Sequence, residues 1–201
     1  VALGPALEGV GPACGGLAGK GAIVGFNLGP QGLEPHILGD EPPDRISGTG
    51  YLSLLASLLR AGLLLENGEF AAASDLSLPL SRNLSKSLEE TKQGKRFVLP
   101  GGLYLSANDI EELLKVKAAF NLAFGLLLRE AGLKPADIKT LCLAGALGEH
   151  VSPADLETLG FIPPGLRDRV RAVGNASLAG AELMAQGSEA REWAAKLSGQ
   201  T

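Results

Sequence analysis

Twice in the last third of the chain, a short apolar run ends in a glycine-bearing turn that opens a helical pattern. Residues 140–144 run into Gly145, and residues 170–173 run into Gly174-Asn175, with helical spacing over 176–186. Strand, turn and helix in repetition predict parallel strands joined by a right-handed crossover, with both turns on one edge of the sheet. Ligands of open α/β sheets bind at that edge. The chain is therefore expected to be α/β, and its 28 glycines among 201 residues, against nine aromatic residues, favour tight turns and close backbone approaches.

The rest of the chain is consistent with that class. Residues 21–28 and 33–38 alternate as a strand pair around Gly29-Pro30-Gln31-Gly32. Gly48-Thr49-Gly50 opens an apolar helical segment over 51–65, which Asn67-Gly68 is expected to end. Residues 66–96, rich in Ser, Lys and Glu, read as an exposed excursion. Residues 97–105 return to strand character, and Ser106-Ala-Asn-Asp109 has the pattern of a capping box for a long helix over 107–131 closed by Gly132. Ser152-Pro153 with Asp155 predicts a second capping box, and 189–197 a last amphipathic helix.

Composition narrows function by exclusion. Eighteen basic and twenty-two acidic residues give a net charge of −4, so no basic field gathers nucleic acid or an anionic membrane. The most apolar stretch, 116–128, contains Lys117 and Asn121 and falls short of the ~20 residues needed to cross a bilayer. Cys14 and Cys142 stand alone, without a zinc-ligand or disulfide pattern, which suits a reducing cytoplasm and predicts no metal site. His36 and His150 lie beside no serine or cysteine nucleophile pattern, so no catalytic triad is expected and no catalytic residue is assigned. With Val1 first and Met184 the sole methionine, the expectation is a fragment of a longer protein.

Two places carry chemistry. In Leu143-Ala-Gly-Ala-Leu-Gly-Glu-His150 the glycines leave backbone amides free to meet a phosphate or an adenosine, although a plain strand-to-helix turn has the same pattern. On the long helix, Ile110, Leu113, Leu114, Phe120, Phe124 and Leu128 share one face, and Lys117 and Asn121 fall on it, one turn apart. A lysine in such a stripe must snorkel, pair with a carboxylate or meet a ligand.

Five ordered segments together resemble one family: Gly4-Pro-Ala-Leu-Glu-Gly9 with Cys14-Gly15, Ile46-Ser-Gly-Thr-Gly50, the helix from Asp109 to Ala119, Leu143-Ala-Gly-Ala-Leu-Gly148, and Val173-Gly-Asn-Ala-Ser-Leu-Ala-Gly-Ala181. The chain resembles the carboxy-terminal lobe of the reductive activators of corrinoid proteins, members of the acetate kinase, sugar kinase, Hsp70 and actin superfamily. The resemblance implies a ribonuclease H-like, actin-like ATPase lobe over 1–201, a mixed sheet flanked by helices. It implies ATP with Mg²⁺ in the full-length protein, a [2Fe-2S] cluster in an amino-terminal domain absent here, and a corrinoid protein or corrinoid iron-sulfur protein as partner. A homodimer is compatible with it.

By the resemblance, Gly145, Ala146 and Gly148 correspond to the adenosine motif, and Lys117 and Asn121 lie on the helix flanking the adenine. Gly48 and Gly50 match a Gly-Ser-Gly segment with Thr49 in place of serine. Glu8 follows the second phosphate-binding strand, and Gly174 and Asn175 belong to the same nucleotide set. The chain lacks the Asp-x-Gly-Thr strands that hold phosphates and Mg²⁺ in the superfamily, so the isolated lobe is expected to be inactive. Glu149 and His150 stand where many members carry Asn-Tyr. A small-molecule kinase lobe and a nucleotide-free interaction lobe are the alternatives.

Overall fold

The computed structural model describes residues 5–198, so Gly4 of the first motif lies outside the described residues. The strand pair forms as expected: β1 (Ala22–Gly29) and β2 (Gly32–Ile37) are antiparallel, and β3 (Arg45–Ile46) pairs parallel to β1 on its other side. Against this mixed sheet lies α1 (Gly48–Arg60), with ten of its thirteen residues buried. A helix buried nearly all round must satisfy its own polar side chains. Ser53 does so by accepting from Phe26 N at 3.0 Å and facing Phe26 O at 3.3 Å, at the bulged part of β1.

The helix stops at Arg60, earlier than the pattern predicts, because Gly62 at φ 70° turns the chain while Leu63 and Leu64 continue as buried loop residues. Hydrophobic spacing carried past the true end because those leucines face the same core.

Residues 66–96 are more than an exposed excursion. They contain α2 (Pro79–Leu84) and β4 (Leu88–Thr91), and reach β5 (Gly94–Val98), which pairs with β4 and with β6 (Tyr104–Ser106) in an antiparallel sheet. Phe70, Leu76 and Leu84 sit in the core, and Ser81 is 1% exposed with its hydroxyl donating to Leu78 O at 2.8 Å. Spaced so widely among polar residues, these anchors show no periodicity.

The long helix, α3 (Ala107–Glu130), starts at the expected capping box: Ser106 Oγ accepts from Asp109 N at 3.2 Å, and Asp109 Oδ2 accepts from Ser106 N at 2.9 Å. Ile110, Leu113 and Val116 are buried. Further along, Phe120 stacks with Phe124 at 6.1 Å and meets Phe161 edge-on at 5.7 Å. No helix among the described residues is long and apolar enough to cross a membrane.

Then β7 (Leu141–Leu143) and β8 (Val170–Ala172) pair in parallel, in register Leu141 to Val170. Between them run α4 (Gly145–His150) and α5 (Pro153–Thr158), and after β8 come α6 (Ala176–Gln186) and α7 (Ser188–Ser198). The second expected capping box is half formed. Ser152 Oγ accepts from Asp155 N at 3.4 Å, but the Asp155 carboxylate reaches Arg60 Nη2 at 2.8 Å, tying α5 to the end of α1.

Candidate functional site

The backbone brings three separated segments to the first turn of α1. Gly48 has no room for a Cβ, which would run into the Leu7 carbonyl, so the 5–8 segment lies directly on the helix start; Gly50 is held as closely against the Ile23 carbonyl. Ser47 caps α1, its Oγ accepting from Gly50 N at 3.2 Å, and it also shares a 2.9 Å hydrogen bond with Thr49 Oγ1. On the far side stands α4.

Between these walls is a cavity of about 420 Å³. Glu8, Ser47, Gly48, Thr49 and Ala146 line it, together with His36 from β2 and His150 from the end of α4. Leu7, Leu17, Val24, Leu38 and Leu147 add apolar walls. The volume falls within the ~300–1,000 Å³ common for small-molecule sites. An apolar slot with hydroxyls and a helix start at one end suits a ligand with a flat apolar part and an anionic part.

The predicted glycine turn is a helix. Gly145 begins α4 with φ 86°, and its N–H donates to Gly174 O at 2.8 Å, so both strand ends meet on one edge as the parallel pairing requires. No atom lies within 4 Å of a Cβ built on Gly145; the backbone angle, not crowding, calls for glycine there. Gly148 would crowd Leu143 at 2.8 Å, a packing reason for its glycine. Asn175 is committed to capping α6, its Oδ1 accepting from Leu178 N at 3.0 Å.

Lys117 and Asn121 do not join this group. Lys117 lines a second cavity of about 300 Å³ with Leu55, Leu59, Ile110, Leu113 and Phe161. Along α1 the first cavity is lined by Gly48 and Thr49 and the second by Leu55 and Leu59, so at about 1.5 Å of rise per residue roughly 9 Å of helix lies between their nearest lining residues. The exposed Asn121 donates from Nδ2 to Gly160 O at 2.9 Å, and the half-buried Lys117 ammonium lies over Gly160, 3.3 Å from where a Cβ would stand. The helical pattern identified a real anomaly, but helical spacing does not say which neighbour a face meets. His36 and His150, 114 positions apart, are the site residues that spacing could not bring together.

Among the described residues no group of three or more His, Cys, Asp or Glu could hold a metal ion. Cys14 is half-buried and Cys142 exposed, and both are free. An iron-sulfur cluster of the [2Fe-2S] type takes four cysteine thiolates, and the chain's two do not fit one.

Comparison with known proteins bears on the family and the fold. A family model described as the C-terminal domain of RACo, the ASKHA domain, matches residues 1–200. The corrinoid activation enzyme RamQ of Eubacterium limosum is 27% identical over 188 residues, covering 90% of this chain and 32% of that protein. A [Co(II) methylated amine-specific corrinoid protein] reductase of Methanosarcina barkeri is 28% identical over 200 residues, covering 89% of this chain and 33% of the relative. A solved reductive activator for corrinoid, iron-sulfur protein superposes with a TM-score of 0.80 at 27% identity, over 96% of this chain and 31% of that one. The chain thus spans about a third of the length of these relatives. With an α/β fold of mixed sheet and helices that matches the actin-like architecture, the chain belongs to the family of RACo C-terminal ASKHA domains.

Proposed function

We propose that this chain is the nucleotide-binding lobe of an ATP-dependent reductive activator, which returns a corrinoid protein from Co(II) to Co(I) with electrons from a [2Fe-2S] domain outside this chain. The observation that carries the reading is the convergence of Glu8, Gly48, Thr49 and Ala146, from three distant segments, on one cavity at the start of α1. The apolar walls would take the base, and the Ser47 and Thr49 hydroxyls with the first amides of α1 would face the phosphates. Gly145 and Gly174 serve by holding α4 in place; Gly50 does so by letting α1 close on β1. When bound, ATP supplies the free energy of phosphoryl transfer to a redox step that is otherwise uphill, and Mg²⁺ would arrive with it. The two free cysteines suit a reducing cytoplasm.

The test uses the full-length protein. ADP binding is measured by calorimetry, and reduction of a Co(II) corrinoid protein is followed by its absorbance with and without ATP. Binding together with ATP-dependent reduction is the expected result. A protein that binds no adenine nucleotide, or reduces the corrinoid equally without ATP, would defeat the reading.

A further inference from the structure

We propose that His36 and His150 are the cationic contacts of the cavity at the start of α1, reading the phosphates of the bound nucleotide and gaining a proton as it binds. The inference rests on the nucleotide reading above and deepens it. The chain has two histidines, one on β2 and one closing α4, and both line this cavity. No lysine or arginine lines it. A di- or triphosphate would bring several negative charges into a space walled largely by leucine, alanine and glycine. The countercharge within this lobe can come from the positive end of α1 and from protonated imidazoles.

Four other charged groups lie close. Glu8 lines the cavity and opposes an anion, Glu34 shares the His36 face of β2 two residues away, Glu149 precedes His150, and Arg45 packs behind the lining residues Gly16 and Leu17, where it is paired with Asp44. Gly25, opposite His36 in the ladder, has no side chain, and neither β1 nor the first turn of α1 contains a charged residue. A phosphate placed beside an imidazole favours its protonated form, so binding draws protons from the buffer. Adenosine, with no phosphate, should draw none.

The experiment titrates the full-length protein with ADP, and separately with adenosine, at about pH 7 in two buffers of different ionisation enthalpy, where an imidazole can still gain a proton. The expected result is proton uptake with ADP and none with adenosine. His36→Asn and His150→Asn should each reduce that uptake and weaken ADP about ten- to a hundredfold, the range for one charge-assisted contact; the double variant should abolish uptake. ADP binding without buffer dependence, or uptake unchanged in the double variant, overturns this assignment and leaves the nucleotide reading intact. Weaker ADP binding with uptake unaltered places the rings on the base or sugar and also overturns it. A folded wild-type protein that binds no ADP overturns both.

Discussion

The backbone N–H of Ala13 donates to Oδ1 of Asp109 across 2.8 Å, joining residues 96 positions apart. The same carboxylate, 1% exposed, accepts from Ser106 N at 2.9 Å and Ser106 Oγ at 2.7 Å through Oδ2. One buried side chain thus caps α3 and pins the loop that carries Leu7 and Glu8 to the cavity. Asp109→Ala is expected to cost about 3 kcal/mol, combining a lost cap with a lost charge-assisted bond. Asp109→Asn should recover little, since an amide NH₂ in place of Oδ2 would face two donors. Urea denaturation of both variants checks this; an Asn variant as stable as wild type would contradict it.

Tyr51 is fully buried, and its hydroxyl has no hydrogen-bond partner, although it lies against the Cys14 backbone and within the field of Asp109. Burial first, then the Asp109 charge, pushes its phenol far above the ordinary value. Tyr51→Phe removes an unsatisfied polar atom and should leave stability unchanged or raise it by up to about 1 kcal/mol. The folded phenol is harder to ionise than the unfolded one, so its contribution is fully present below about pH 10 and is lost as pH rises above it. The fall of stability with pH above that point should therefore be shallower in Tyr51→Phe. Equal slopes in the two proteins would contradict the assignment.

Arg60 and Asp155 form a pair of unequal partners. The Asp155 side chain is 9% exposed and that of Arg60 38% exposed, with 2.8 Å between Nη2 and Oδ1. Arg60→Met strands a buried carboxylate, whereas Asp155→Ala leaves a guanidinium that can turn to water. The first change should cost more, by about 1 to 2 kcal/mol. A double-mutant cycle measured in denaturant gives the coupling, and equal single-variant losses would count against this account.

Gly145→Val is a poor probe of ligand contact, because φ 86° strains any branched residue before a ligand arrives. It should lower stability by about 1 to 3 kcal/mol. Ala146→Trp separates the effects, since Ala146 is exposed on α4 and lines the cavity. That variant should melt near the wild-type temperature yet lose most ADP affinity; unchanged affinity would move the ligand elsewhere.

Lys117→Met keeps the stem and removes the charge. Among the described residues Lys117 makes no hydrogen bond or ion pair, and it lines the cavity at the other end of α1. Stability should hold or rise and ADP affinity should stay within about twofold of wild type, because no charged contact is lost. An affinity loss of tenfold or more would return Lys117 to the nucleotide.

Legibility in the sequence followed the range of each physical cause. The Ser106–Asp109 cap, the β1–β2 pair and the parallel ends of β7 and β8 depend on neighbours within a few residues or on a repeated pattern, and each could be read. The glycine segments at 48–50 and 145–148 were found for the same reason. What escaped depends on distant partners: Asp155 choosing Arg60 over its own cap, Leu76 and Leu84 anchoring a polar stretch, and two histidines meeting across a cavity. Lys117 lies between these cases, since its face was legible and the neighbour it meets was not.

The uneven distribution of burial implies that the molecule does not open all at once. Backbone amides in α1, sealed on nearly every side, should exchange with solvent only through complete unfolding. The ladder of β7 and β8, three residues long, and α6, with no buried residue, should exchange through local openings that leave α1 intact. Because α4 hangs from β7 through Gly145, one wall of the cavity at the start of α1 belongs to the labile part and the other to the most protected. A ligand bridging them would slow exchange selectively in the first, at positions it never touches.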